Sequence, residues 1–142
     1  MKKMVIGIAI ASIMLFATGA SASPASQFNK WIIAANPIIQ RYTKSFTALN
    51  RDLKAENVNA SLNDLANISN DGVALSHHEN SGDPQLNSDI KAFSRTIIIM
   101  ASVGLKTIDG GPISKWTNVL YTVALNEQAM ISDLHYDSKR YQ

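Results

Sequence analysis

The sequence contains no cysteine among its 142 residues. Disulfide bonds, thiol nucleophiles, iron–sulfur clusters and cysteine-based zinc sites are therefore excluded. Glycine and proline are also scarce, with 7 and 4 residues, which excludes collagen-like and low-complexity chains. Because no covalent cross-link is available, the chain has to be held together by apolar packing. Its length is sufficient for one domain with its own core.

The sequence also has little excess of charge of either sign. It carries 13 Lys and Arg against 11 Asp and Glu, and Lys2 and Lys3 account for the difference. These two lysines precede an apolar run over residues 4–16 and a stretch of small residues over 17–22, a pattern typical of a bacterial secretory signal peptide. We therefore predict a cleaved signal peptide at residues 1–22, with an uncleaved membrane anchor as the alternative. Residues 23–142 are predicted to form one helical domain with a frayed C-terminal tail.

The predicted mature chain is formally neutral, because removal of Lys2 and Lys3 leaves 11 charges of each sign. A neutral domain lacks the basic face that nucleic-acid binding requires. The sequence thus predicts an exported protein that is periplasmic, cell-wall-associated or secreted. Membrane contact is expected only through the signal peptide or through weak surface association.

Apolar residues in the rest of the chain recur at steps of three and four, which is the period of an α-helix. The first such seam consists of Phe28, Trp31, Ile32, Ala35, Ile38, Ile39, Tyr42, Phe46, Leu49 and Leu53. Pro37 falls inside this seam and lacks the backbone N–H that a helix uses. We therefore expect the first helix to be kinked or split at Pro37.

Three further helices are predicted from the same period. Asp83 and Pro84 are a favourable N-cap and first residue for the third helix, while Gly110, Gly111 and Pro112 end it. No segment alternates polar and apolar residues for long enough to indicate a strand. The sequence predicts an all-α protein, an up-down four-helix bundle with short connections.

The three histidines are predicted to meet at one end of this bundle, because alternate connections share an end. His77 and His78 end the second helix, and His135 lies near the end of the fourth. Imidazoles beside carboxylates are ligands for a divalent transition metal or a haem iron. Adjacent helical residues point about 100° apart, however, which disfavours joint ligation by His77 and His78. Solvated end residues are the favoured interpretation, with the metal site as the alternative.

Glu127 is the polar residue that interrupts the otherwise apolar seam of the fourth helix. A buried carboxylate without a partner is costly. Counting outward from the turn at Gly110 places Glu127 opposite Arg95, so we predict a buried Arg95–Glu127 ion pair. The alternative is a ligand-binding carboxylate that faces a cavity, with Arg41 or Arg95 as its counter-charge.

Two runs of large apolar residues are too wide for one helix face. Trp31, Ile32 and Ile33 are consecutive, and so are Ile98 and Ile99 in the third helix. Such faces indicate either a helix buried on two sides or a surface that binds a partner. We predict these five residues as a partner-binding surface.

No catalytic constellation is present in the sequence. It contains no glycine-rich phosphate loop, no Gly-x-Ser-x-Gly turn and no calcium loop. We therefore expect a protein that binds another protein at the cell envelope, without catalysis and without a cofactor. The alternative is a small carrier of haem or a transition metal that uses the histidine-rich end.

Overall fold

The computed structural model describes residues 23–141, and these residues are almost entirely helical. No β-strand occurs within that range, so the predicted all-α class is confirmed. No helix within it is both long and apolar enough to cross a membrane. The predicted signal peptide at 1–22 lies outside the described residues. The four helices are α1 (Ser23–Lys54), α2 (Val58–Ser76), α3 (Pro84–Ile108) and α4 (Ile113–Tyr141).

Side-chain caps mark the start of the two central helices. The Asn57 side chain accepts a hydrogen bond from the backbone N–H of Ala60 at 3.2 Å, which caps α2. Asp83 accepts from the backbone N–H of Gln85 at 2.7 Å and caps α3, whose first residue is Pro84. Each cap satisfies a backbone donor that the first helical turn leaves without a partner.

The predicted apolar seams form one core. Every predicted position of the first seam is buried except Ile39, which is half-buried and packs against the core. Consecutive helices pack along their lengths, whereas α1 and α4 touch much less. Where they do meet, the rings of Phe28 and Tyr141 lie 5.3 Å apart. The helices therefore bury their apolar faces mainly against their neighbours in the chain.

Helix α1 runs without interruption from Ser23 to Lys54, with Pro37 inside it. The predicted split at Pro37 is therefore not observed. Pro37 lies on the exposed side of the helix, while Ala35 and Ile38 beside it are buried. Burial of the apolar face on both sides of the proline outweighs the loss of one backbone hydrogen bond.

Gly72 is the point of closest approach between α2 and α3. A methyl group added at Gly72 would lie 2.6 Å from Ile98 Cγ1 and 3.1 Å from the carbonyl oxygen of Ser94. These separations are shorter than van der Waals contact. The absence of a side chain at Gly72 is thus what lets the two helices pack this tightly.

We expect Gly72→Ala to lower the free energy of unfolding by up to about 2 kcal/mol. Overpacking against Ile98 and Ser94 costs about 1–3 kcal/mol, and the higher helix propensity of alanine returns about 1 kcal/mol of it. Urea unfolding followed by circular dichroism measures the change. Ala66→Gly, at an exposed position of α2, is the control that isolates the propensity effect. A more stable Gly72→Ala protein would contradict the tight packing.

Candidate functional site

A pocket of about 500 Å³ lies where the first half of α1 meets the end of α2. Residues of one α1 face form one wall, and the segment that leaves α2 forms the other. Most of the lining residues have polar or charged side chains, and the two others are Trp31 and Ala34. The lining residues are Gln27, Lys30, Trp31, Ala34, Ser76, His77, His78, Glu79 and Asn80.

Trp31 holds the two walls of this pocket together. Its side chain is only 4% exposed, and its indole N–H donates a hydrogen bond to the backbone carbonyl oxygen of His78. The helical hydrogen bonds of α2 end here, because the N–H of His78 bonds back to Leu75 at 2.9 Å and the chain then leaves the helix. Trp31 therefore satisfies a carbonyl at the helix end and fixes the direction in which the chain leaves α2.

The predicted partner-binding residues separate into buried and exposed groups. Trp31 and Ile32 are both buried in the core, which corrects the prediction that their side chains form a free surface. Ile33 is 68% exposed and Ile99 is 55% exposed. Ile98 is half-buried and faces Gly72. Ile33 is thus the one residue of the first run whose side chain is available to a partner.

The structure brings two of the three histidines into one pocket. His77 and His78 both line it beside Glu79, whereas the exposed His135 of α4 does not. Among residues 23–141, no three His, Asp or Glu side chains are placed to hold a metal ion together. The convergence of all three imidazoles on one site is therefore not found.

Two pairs of neighbouring carboxyls lie between α4 and the N-terminal part of α3, including its N-cap. Asp137 is completely buried, and neither of its carboxylate oxygens has a hydrogen-bond donor. Burial, reinforced by the neighbouring Asp83 carboxyl, raises the pKa of Asp137 to about 6. Burial and the facing Asp133 raise the pKa of Asp89 to about 6 as well. A proton shared within each pair converts a repulsive contact into a hydrogen bond.

A third carboxyl pair lies between α1 and α2. Burial and the neighbouring Asp52 carboxyl raise the pKa of Asp64 to about 6. Asp52 accepts two hydrogen bonds from Arg51, at 2.8 and 3.1 Å, which lower the pKa of Asp52. The two carboxyls of this pair therefore differ, because Asp64 takes up a proton as the pH falls through about 6 while Asp52 stays ionised.

A second groove of about 500 Å³ lies further along α1 and α2 and includes an ion pair. Arg41 Nε donates to the Asp71 carboxylate at 3.1 Å. Burial raises the pKa of Asp71, and the Arg41 guanidinium opposes this shift. Lys44 and Asn67 are among the other residues of this exposed, polar groove.

The predicted ion pair between Arg95 and Glu127 is not formed. Arg95 is exposed, and the salt bridges within residues 23–141 do not include it. Glu127 is only 5% exposed, and burial alone raises the pKa of its carboxyl to about 7. The nearby Tyr42 hydroxyl is also buried without a hydrogen-bond partner. Burial and the Glu127 charge raise the pKa of Tyr42 well above its usual value.

Sequence reasoning identified Glu127 but missed three other buried carboxyls, those of Asp52, Asp71 and Asp137. Asp71 follows Ile68 by three positions and precedes Leu75 by four, and Asp137 follows Leu134 by three. Both acidic residues therefore occupy seam positions, which the helical period predicts to be buried. The helical period could not predict which residues contact these carboxyls, because the contacting residues lie in other segments of the chain.

Comparison of the chain with protein-family models, with curated proteins and with solved structures finds no match. The pocket, the carboxyl pairs and the buried Glu127 are therefore interpreted from their own geometry.

We expect Trp31→Phe to lower the free energy of unfolding by about 1–3 kcal/mol. Phenylalanine fills most of the space but leaves the carbonyl of His78 without its donor, and an unsatisfied buried acceptor has a cost of this size. Urea unfolding provides the measurement. Ile33→Ala, at an exposed position two residues away, is expected to change stability by less than about 0.5 kcal/mol. Equal effects of the two substitutions would contradict the role of the indole hydrogen bond.

Proposed function

We propose that this protein is an exported, non-catalytic binding protein whose partner is another protein of the cell envelope. The observation that carries the proposal is the pocket at the junction of α1 and α2, with the exposed Ile33 beside one of its lining residues. Export is supported by the basic and apolar segments of residues 1–22, which lie outside the described part of the chain. No residue is assigned a catalytic role.

The chemistry of the pocket supports a protein partner. Protein interfaces combine a few large apolar anchors with a polar rim that provides hydrogen bonds. Ile33 supplies an exposed apolar anchor on α1, while Lys30, His77 and Glu79 supply charged and polar groups in the pocket. Trp31 holds the pocket walls in place before a partner binds. Because the walls do not have to become ordered on binding, less conformational entropy is lost when a partner docks.

The proposed contact can be tested by photocrosslinking in the producing cells. A benzoylphenylalanine at position 33 is expected to crosslink to one envelope protein, because the partner would cover this side chain. The same residue at the exposed position 117 of α4 is the matched control, and mass spectrometry identifies the crosslinked protein. Identical crosslinks from both positions, or none from position 33, would argue against a partner at this surface.

A haem or transition-metal carrier is the second candidate function. It is supported by His77 and His78, which line one pocket together with Glu79. His135 lies outside this pocket, so it would not contribute a ligand.

If the pocket binds metal, zinc, copper or haemin should raise the melting temperature of the purified protein, and haemin should also change its absorbance. The response is expected to disappear in the double variant His77→Ala, His78→Ala and to remain in His135→Ala. No response in the unmodified protein, or a response that survives in the double variant, would exclude this carrier function.

We further propose the up-down topology and a bend in α1 at Pro37. The topology is supported by contacts that run in opposite directions along neighbouring helices. On α1 and α2, Trp31 contacts His78 while Arg41 contacts Asp71. The bend is supported by the hydrogen bond that Pro37 cannot donate.

A further inference from the structure

Glu127 occupies a core position of α4. Val123 and Met130, one turn before and after it in the same seam, are completely or almost completely buried. Glu127 is only 5% exposed, and Tyr42 of α1 lies close enough for the Glu127 charge to raise the pKa of its hydroxyl. Water therefore cannot solvate a charge on this side chain as it would at the surface.

No positive charge compensates Glu127 on the helices packed around it. On α1, Arg41 is bonded to Asp71. On α3, Arg95 is exposed, and the neighbouring Thr96 accepts a hydrogen bond from Asn126 of α4 at 2.6 Å. The titratable group that faces Glu127 is Tyr42, whose hydroxyl is neutral.

We propose that below neutral pH the folded protein carries Glu127 as the neutral acid, and that loss of this proton at higher pH destabilises the fold. A proton is thus a ligand of the core, and the protein is stabilised by acid. The physical reason is that an ionised carboxylate without a counter-charge is costly in a dry environment, whereas the protonated form is tolerated. This inference does not depend on the proposed partner.

The direction of the pH dependence follows from the two states of the chain. In the unfolded chain Glu127 has the ordinary pKa of a glutamate, and in the folded chain burial raises its pKa to about 7. A raised pKa contributes stability that is fully present below the unfolded value and is lost as the pH rises through about 7. Asp64, with its pKa raised to about 6, acts in the same direction at lower pH.

The test is urea unfolding of the full protein at pH 5 to 8.5, with Glu127→Gln as the variant. The unfolding equilibrium constant of the unmodified protein is expected to increase on the order of a hundred-fold from this one group, because each unit of pKa difference is a factor of ten. Most of this increase falls between pH 5 and 7, because the pH dependence of one group lies between its unfolded and folded pKa values, and Glu127→Gln should lose it there. Glu56→Gln makes the same chemical change at an exposed carboxyl and should keep the full increase.

Equal pH dependence of the unmodified protein and Glu127→Gln between pH 5 and 7 would overturn the proposal. A second measurement does not depend on the folding of the glutamine variant: the side-chain carboxyl of Glu127 is titrated by carbon-13 NMR in the unmodified protein. A midpoint near 7 supports the proposal, whereas a midpoint of 5 or below overturns it.

Discussion

Apolar burial along α3 is the interaction on which the rest of the structure depends. Among the described helices, α3 packs along its length against two others, α2 and α4. Gly72 brings α2 close to it, and Gly104 of α3 lies against Leu65 of α2 and Trp116 of α4. In a chain without cysteine, no covalent bond can replace this packing. The packing of α2 and α4 against α3 determines where α1, the pocket beside it and Glu127 lie.

The pocket and the core are not separate parts of this molecule. Trp31 packs into the core, stacks near Phe28 and donates the hydrogen bond that fixes the end of α2. The shape of the pocket therefore depends on the packing around Trp31. On the other side of the same loop, the Asp83 carboxyl neighbours Asp137, whose pKa is raised by burial and by Asp83.

The elements that could be predicted from the sequence were those set by local chemistry. The step of three and four predicted the helices, and Asp83 with Pro84 predicted the start of α3. Arg95 was placed opposite Glu127 by counting along the chain, and the structure shows it exposed instead. The error arises because counting residues from the turn gives the position of a side chain along the bundle axis. It does not give the rotation of the helix about its own axis, which decides where the side chain points. The pairing of Asp52 with Asp64 was missed for the same reason.

Pro37 has a consequence for the surface of α1 that goes beyond the shape of the helix. In an α-helix the N–H of residue 37 would bond to the carbonyl oxygen of residue 33, and proline has no N–H to donate. The backbone carbonyl of Ile33 therefore receives no hydrogen bond from that position. An open acceptor thus lies at the base of a large exposed apolar side chain, where water or a donor from another molecule can use it.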